Sequence, residues 1–421
     1  FGRIKDQRWD DTDATADADR YQYGYDEAGN RLFRDNRVAT ASGDWLYAYD
    51  TSHRLDIGSL GQLNSTQSAL TSTTLSQDWG LDALGNWGTL TQTGTGALSQ
   101  TRAHNAANQV TTEITPDPLD RSTFTHDADG NLVANGNGAT LTWDFENRPT
   151  RIAIEPVVTY TATYDGDHRR TGYAYSGMQT ADKRVLWDGW NPLAEMNPAG
   201  TIERQYTYQP SPIGQIVSMR QGSASSFYHP DAVGTIRQVT DSSANIANAY
   251  ILTAYGEEVS SSQTVSNALQ FIGALGYQQE IPVWAYVRRR YYVPGIARWI
   301  SRDPLVERTL TAYIYAANSP LQMIDPIGLE ATLCTTYQRK KTITKISVIP
   351  EAIRKYVDLQ FKSDVIEAGQ HCTEICSCNP LVSAVKETGA IITSVQSKLK
   401  LPEVPSSFWG IPIILRITAP I

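Results

Sequence analysis

The amino-acid sequence predicts a mainly β protein, in which β-hairpins stack into one long curled sheet and a small α+β domain follows. Three observations support this fold class. The composition is rich in aromatic residues, with 22 Tyr and 10 Trp against only 4 Met, and aromatic side chains favour strands. A short turn motif recurs along the first half of the chain, and the pattern stops near residue 329.

The recurring motif predicts a tight turn between two strands. Its clearest copy is Tyr25–Leu32, in which an aromatic residue precedes an Asp and a Gly follows three residues after that Asp. The carboxylate caps the turn, and Gly or Asn accepts the left-handed conformation that the turn requires. Because one hairpin cannot bury its apolar face alone, neighbouring hairpins must stack. The Asp or Asn of successive copies lies at positions 26, 50, 82, 105, 127, 144 and 165.

The pattern divides the chain into three parts. Residues 1–185 hold the repeats, residues 186–329 form a β-rich closing module, and residues 330–421 form a tail of different character. Because the chain opens inside a repeat, we expect it to be the carboxyl-terminal piece of a longer protein, with any export signal on the missing part. No apolar run reaches the roughly 18 residues that a membrane helix needs.

The stretch from Arg290 to Leu329 contains two Asp-Pro dipeptides, which begin at Asp303 and Asp325. Two carboxylates held close together share a proton, so one can activate water as a base and the other can protonate a leaving amide. The alternative is structural, because Asp-Pro is a common turn dipeptide. The run Arg288–Arg290 is more typical of a strand edge with one buried ion pair than of a phosphate site.

The repeats and the closing module resemble the RHS/YD-repeat proteins and their RHS-associated core domain. In this family the repeats build a hollow β-cocoon around a variable carboxyl-terminal toxin. In many members the core domain is an aspartyl autoprotease that cuts just after an Asp-Pro-x-Gly-Leu motif. The resemblance is based on the Tyr-Asp repeats, Tyr228-His229-Pro230-Asp231 with Gly234-Thr235, Tyr255-Gly256, and the stretch from Arg290 to Leu329.

The resemblance implies specific roles in this stretch. Asp303 and Asp325 would be the catalytic carboxylates, Arg290 would orient a carboxylate, and the cut would fall between Leu329 and Glu330. The chain departs from the family pattern at two places: Ala297-Arg298-Trp299 replaces the usual Gly-Arg-Phe, and Leu305-Val306-Glu307-Arg308 replaces a Gly-rich segment.

The tail predicts a small α+β domain. Thr342–Ile349 alternates like a strand, Pro350 opens one helix, and Asn379 caps a second. All four cysteines lie in the tail, and a zinc site is an alternative to two disulfides, which small exported domains use more often. No motif identifies an activity for the tail, and no cofactor is predicted. The residues of the zinc and disulfide alternatives are Cys334, His371, Cys372, Cys376 and Cys378.

Two functions follow from these observations. The first is a polymorphic toxin, secreted or at the cell surface, whose β-shell encapsulates its own tail as cargo and releases it by self-cleavage in interbacterial competition or host interaction. An immunity protein and a secretion system would be its partners. The second is a cell-surface or wall-associated structural protein that binds carbohydrate and has no catalytic activity. The aromatic residues at positions 291, 292, 299, 313 and 315 would supply that surface, unless they pack in the core.

Overall fold

A computed structural model describes residues 3–10, 17–38, 43–117, 121–136, 138–177, 181–280, 284–306, 311–329, 331–341 and 365–374. The chain divides into two compact units, and almost all of the described residues lie in the unit formed by Ile4–Cys334 with Cys372–Cys376. The fold and the site below are those of this unit.

Most of the described residues form one antiparallel sheet of 23 strands. Each strand pairs with the next along the chain, so the sheet is an uninterrupted meander. The first strands are β1 (Asp6–Asp10), β2 (Asp17–Tyr25), β3 (Arg31–Asn36), β4 (Asp44–Tyr49), β5 (Leu55–Leu63), β6 (Leu70–Leu81), β7 (Trp87–Gly94), β8 (Leu98–His104), β9 (Val110–Ile114), β10 (Arg121–His126), β11 (Leu132–Asn135) and β12 (Ala139–Trp143).

The meander continues in the same manner past residue 186. Its remaining strands are β13 (Pro149–Ile154), β14 (Val158–Tyr164), β15 (Arg170–Gly177), β16 (Ala181–Asp188), β17 (Asn191–Met196), β18 (Ile202–Tyr208), β19 (Ile216–Gln221), β20 (Ala224–Pro230), β21 (Ile236–Asp241), β22 (Ile246–Leu252) and β23 (Glu258–Gln263). The mainly β prediction is confirmed, and the division at residues 185 and 329 stays a prediction.

The turns have the geometry that the motif predicts. In the second copy, Asp50 Oδ1 accepts the main-chain N–H groups of Ser52 and Arg54 at 2.8 and 2.9 Å. Asp50 Oδ2 accepts Arg54 Nε at 2.6 Å, and His53, three residues after the Asp, has a positive φ of 62°. The side chain of one Asp therefore satisfies the donors of its own turn, which is why the motif can be recognised locally.

Successive turns lie side by side because polar side chains link them. Asn30 Nδ2 lies 2.9 Å from His53 Nδ1 in the next turn. Arg54 Nη1 donates to the main-chain carbonyl of Asp82 at 2.7 Å, and Asn86 Nδ2 donates to Asn108 Oδ1 at 3.2 Å. The turns thus form a continuous row along one end of the hairpins, which we call the turn row.

The meander curls so that distant strands share a core. The largest apolar cluster joins side chains of β4–β7, such as Trp45 and Trp79, to side chains of β18–β22, such as Tyr206 and Val239. Residues that follow the meander fill the space between them, with Tyr315 fully buried in the same cluster. The interior of this part of the sheet is therefore occupied by described residues between 264 and 329, which we call the closing segment.

That closing segment forms a small second sheet and three short 3₁₀ helices. The sheet contains β24 (Gln278–Glu280), β25 (Trp284–Val287), β26 (Arg290–Val293) and β27 (Arg298–Trp299), and the 3₁₀ helices span Gly273–Leu275, Pro294–Ile296 and Ala316–Asn318. Three further strands are β28 (Met323–Ile324), β29 (Thr332–Lys341) and β30 (Val365–Glu374), and β28 pairs with the start of β29 at Thr332 and Leu333.

The strand predicted at Thr342–Ile349 and the helices predicted from Pro350 and Asn379 lie outside the described residues. Among the residues that the structure does describe, no helix has the length and apolar character of a membrane span.

Candidate functional site

Three side chains that are distant in sequence meet in the closing segment. Arg290 lies at the start of β26, Asp303 follows β27, and Asp325 directly follows β28. Arg290 Nη2 lies 3.0 Å from Asp303 Oδ2 and 3.2 Å from Asp325 Oδ2. Each of the three residues is less than 5 % exposed, at 3 %, 4 % and 2 %. The structure therefore brings together all three residues that the sequence singles out.

The charges at this site do not balance if both carboxyl groups are ionised. One guanidinium faces two buried carboxylates, and like charges held this close favour retention of one proton. Burial raises the pKa of Asp303 above its ordinary value, although the neighbouring Arg290 opposes that shift. Asp303 is thus the carboxyl group that the structure favours as the proton carrier.

Asp325 also shapes the chain immediately before the predicted cut. Its Oδ1 accepts the main-chain N–H groups of Gly328 at 2.7 Å and Leu329 at 2.9 Å, while Arg290 Nε donates to the carbonyl of Gly328. Gly328 has a φ of +81°, and a Cβ there would lie 2.7 Å from the carbonyl oxygen of Val287. Residues 325–329 therefore form a turn around the carboxyl group of Asp325, and only Gly fits at residue 328 of that turn.

Sequence reasoning missed two residues at this site. Arg288 is 2 % exposed and donates to three carbonyl groups, those of Pro326 at 2.5 Å, Leu275 at 2.8 Å and Trp190 at 2.9 Å. Tyr277 donates its hydroxyl to the carbonyl of Asp325 at 2.6 Å. The run of three arginines was a signal for Arg288, but a run of charges usually marks solvent exposure. No local pattern distinguishes Tyr277 from other buried tyrosines.

The segment that carries Asp303 also lies along the turn row. Five of its side chains contact main-chain or side-chain oxygens of five successive turns, and four of them, all except Arg298, do so in reverse order along the chain. These contacts are Gln322 Nε2 to Asn30 Oδ1 at 2.7 Å, Ser319 Oγ to the His53 carbonyl at 3.0 Å, Asn318 Nδ2 to the Gly85 carbonyl at 2.8 Å, Arg298 Nη1 to the Asn108 carbonyl at 2.8 Å, and Tyr313 Oη to the Gly130 carbonyl at 2.9 Å. The position of Asp303 is therefore tied to the repeats.

The aromatic residues of the segment pack inside the protein. Tyr292 and Tyr315 are fully buried, with ring centroids 4.4 Å apart, and Tyr291, Trp299 and Tyr313 are each at most 3 % exposed. These five residues therefore belong to the core and offer no open stacking surface for a carbohydrate.

The remaining predicted site residues lie outside the described part of the chain or on strands whose side chains are not described. Glu330, Cys376 and Cys378 belong to the first group, and Cys334, His371 and Cys372, on β29 and β30, belong to the second. Among the described residues there is no group of three or more His, Cys, Asp or Glu side chains arranged to hold a metal ion. The zinc and disulfide alternatives both stay predictions.

Comparison with curated proteins finds toxins and nucleases. The chain is 28 % identical over 262 residues to the tRNA3(Ser)-specific nuclease WapA of Bacillus spizizenii, which covers 59 % of this chain and 10 % of that protein. It is 27 % identical over 243 residues to the double-stranded DNA deaminase toxin A of Burkholderia cenocepacia, covering 49 % of this chain and 17 % of the relative. The chain thus spans between a tenth and a fifth of these relatives' length. No model of a protein family matches the chain.

A solved structure has the same fold over most of the chain. The crystal structure of the TcdB2-TccC3-TEV complex superposes with a TM-score of 0.60 at 17 % identity, covering 76 % of this chain and 17 % of that one. At this identity the match shows the fold, which is that of the TccC3 shell. Together with the curated relatives, it confirms the resemblance to RHS/YD-repeat toxins.

Proposed function

We propose that this chain, a relative of the RHS/YD-repeat toxins, is the part of such a toxin that contains and releases a carboxyl-terminal effector. The β-shell would hold residues 330–421, and the site at Arg290, Asp303 and Asp325 would cut the chain between Leu329 and Glu330. The observation that carries the proposal is the contact of one buried Arg290 nitrogen with both carboxyl groups, directly beside the turn that ends at Leu329.

The chemistry is a hydrolysis that needs no cofactor. Asp325 acts as the base and removes a proton from a water molecule, and the water oxygen forms a bond to the carbonyl carbon of Leu329. Asp303 gives its proton to the amide nitrogen of Glu330 as the C–N bond breaks. The products are a carboxylate at Leu329 and an amine at Glu330. Arg290 holds both carboxyl groups in place and, through Nε, the carbonyl next to the reacting peptide.

The surroundings of the two carboxyl groups distinguish them from the turn caps of the repeats. The side chain of Asp50 is 22 % exposed and pairs with Arg54 of its own turn. Asp303 and Asp325 are buried and share a single arginine that precedes them by 13 and 35 positions in the chain. A structural cap needs neither burial nor a second carboxyl group, whereas a proton-sharing pair needs both.

One observation favours a purely structural role. Asp303 Oδ1 accepts the N–H of Leu305 at 2.7 Å, and Asp325 Oδ1 accepts two N–H groups of its own turn. These bonds have the pattern of the repeat caps. On this second proposal the chain is a wall-associated or cell-surface structural protein, and it stays intact.

The names of the relatives support delivery of a toxic cargo. They include a nuclease and a deaminase toxin, and the chain matches only part of each. Location outside the cell or at its surface, an immunity protein and a secretion system belong to this proposal as well. The activity of residues 330–421 is a separate question, which toxicity of that segment expressed alone would address.

The test is to purify the whole chain and weigh the products by mass spectrometry. We expect two fragments, one ending at Leu329 and one beginning at Glu330, from the wild type. Asp303→Asn and Asp325→Asn should stay intact, because each removes one of the two carboxyl groups. Asp50→Asn, at a repeat turn, is the matched control and should still be cut. A folded wild-type chain that remains uncut would leave the structural proposal standing and remove the protease.

A further inference from the structure

Three arginine side chains lie buried around one carboxylate, far from the cleavage site. Arg31, Arg34 and Arg237 are 2 %, 3 % and 5 % exposed, and Asp231 is 3 % exposed. Asp231 Oδ2 accepts Arg34 Nη1 at 3.1 Å and Arg237 Nη2 at 2.6 Å. Arg34 lies over the ring of Tyr21 at 5.5 Å and Arg31 over the ring of Tyr23 at 4.8 Å, and these tyrosines are alternate residues of β2.

The positive charge in this cluster exceeds the negative charge. Within the described residues, the arginine charges act on two carboxyl groups. These are Asp231 and the buried Asp19. Even with both ionised, three guanidinium groups face two carboxylates. A net charge removed from water is strongly unfavourable unless a partner compensates it.

The excess charge falls on Arg31. Its Nε and Nη1 atoms are buried and have no hydrogen-bond partner, and the same is true of Arg34 Nε. Within the described residues no ion pair links Arg31 to a carboxylate, and its guanidinium carbon lies 4.8 Å above the ring of Tyr23. Stacking on an aromatic face offsets part of the burial cost, but it satisfies none of the N–H donors.

Another repeat shows what an arginine at this position needs. Arg31 pairs with Tyr25 across its turn, and Arg170 pairs with Tyr164 in the same way. Arg170 is also fully buried, yet its Nη2 lies 2.6 Å from Glu280 Oε1 and its Nη1 donates to the Tyr160 hydroxyl at 2.7 Å. The same position is apolar in other copies, namely Leu55, Trp87, Val110 and Leu132.

We propose that a small inorganic anion binds at Arg31 and Arg34 and takes the place that Glu280 fills beside Arg170. The anion accepts from the unpartnered N–H groups of both arginines and neutralises the excess charge. Arg31 and Arg34 belong to β3, whereas Asp231 and Arg237 lie about the turn between β20 and β21, with 197 positions between Arg34 and Asp231. The Arg34–Asp231 ion pair joins the first hairpins of the sheet to a turn near its other end, and the anion compensates the excess charge beside that ion pair.

Thermal unfolding of the whole chain in different sodium salts at equal ionic strength tests the site. We expect the wild-type midpoint to be higher in chloride or phosphate than in gluconate, which is too bulky to enter, by at least about 2 °C. Arg31→Leu installs the residue found at the same position of the next repeat, so it should fold and should lose this difference. Arg220→Leu, at an exposed arginine whose side chain donates to the Gly222 carbonyl, is the control and should keep the salt difference.

The comparison of salts also identifies the anion class. If chloride raises the unfolding midpoint of the wild type more than that of Arg31→Leu and phosphate does not, the site binds halides. The reverse result indicates an oxyanion site. Crystals soaked in sodium bromide should show an anomalous peak beside Arg31 in the halide case. The proposal is overturned if the wild-type midpoint is the same in all three salts, or if Arg31→Leu keeps the full salt difference.

Discussion

The hydroxyl of Tyr313 donates to the main-chain carbonyl of Gly130 at 2.9 Å, although 183 positions separate the two residues. Tyr313 belongs to the segment that carries Asp303, and Gly130 belongs to a repeat turn. This bond is one of five that fix the candidate site to the turn row, and it can be probed from either side.

The Tyr313–Gly130 contact predicts a non-additive pair of substitutions. A Cβ at residue 130 would lie 2.5 Å from the Tyr313 hydroxyl, and Gly130 has a φ of +90°. Gly130→Ala should therefore destabilise through both the clash and the backbone. Tyr313→Phe alone should cost about 1 kcal/mol of unfolding free energy. The double variant lacks the hydroxyl that clashes with the new Cβ. Its loss of unfolding free energy should therefore be smaller than the sum of the losses in the two single variants. Simple additivity in denaturant unfolding would show that the contact is absent in solution.

Cleavage should depend on pH through Asp303. Because the pKa of its carboxyl group is raised in the fold, the protonated form persists to higher pH than in an ordinary aspartate. The proposed reaction uses that proton, so the rate of Leu329–Glu330 cleavage should fall as pH rises through the folded-state pKa. Rates from gel bands of freshly refolded chain at a series of pH values would check this. A rate that increases throughout with pH would assign the proton to another group.

The same pKa shift predicts that Asp303→Asn loses cleavage without losing stability. A carboxyl group whose pKa is raised on folding contributes stability below its unfolded pKa, and that contribution is lost as pH rises through the folded value. At neutral pH the wild type has lost this stability contribution, whereas the uncharged amide of Asp303→Asn does not titrate and loses nothing. Near pH 7 the variant should therefore be at least as stable as Asp325→Asn, which is also uncut but keeps the Asp303 carboxyl group. The difference in unfolding free energy between the two variants should become smaller in acid, which urea unfolding at a series of pH values would show.

Tyr277 should act as a positioning residue for the cut. Its hydroxyl holds the carbonyl of Asp325, so Tyr277→Phe removes one hydrogen bond from the turn that precedes Leu329. We expect this to raise the activation free energy of cleavage by about 1.4 kcal/mol, which makes the cut roughly tenfold slower. The pH at which the rate changes should stay where it is, because Asp303 is untouched. A shifted pH profile would mean that the tyrosine takes part in proton transfer.

Gly328 should be needed for its space as well as for its backbone conformation. Gly328→Ala brings a Cβ within 2.7 Å of the Val287 carbonyl, whereas Gly200, with a similar φ of +85°, has nothing within 4 Å of a built Cβ. Gly200→Ala therefore carries only the cost of the left-handed backbone, which is about 1 kcal/mol. Gly328→Ala should destabilise more and should abolish cleavage, while Gly200→Ala should be cut at the wild-type rate. Equal behaviour of the two variants would contradict the crowded turn.

Much of the fold follows from local chemistry. An Asp that caps its own turn, a residue with positive φ three positions later and an apolar or aromatic residue before the Asp are all short-range features, so the hairpins at positions 26, 50 and 82 could be predicted from the sequence. The number of strands in one continuous meander and the return of β18–β22 onto β4–β7 depend on packing between residues far apart in the chain, which no local pattern encodes.

The candidate site divides in the same way. The sequence by itself determined the residue types: two Asp-Pro dipeptides, one arginine and a Gly-Leu end, together with the resemblance that gives them roles. Only the tertiary structure placed Arg290 Nη2 against both carboxyl groups, buried Arg288 under three carbonyl groups and put Tyr277 behind Asp325. Arg31 and Arg170 show the physical reason most clearly. They occupy the same position of the same motif, but the state of a buried charge depends on its partner. Glu280 pairs with Arg170, whereas no carboxylate among the described residues pairs with Arg31.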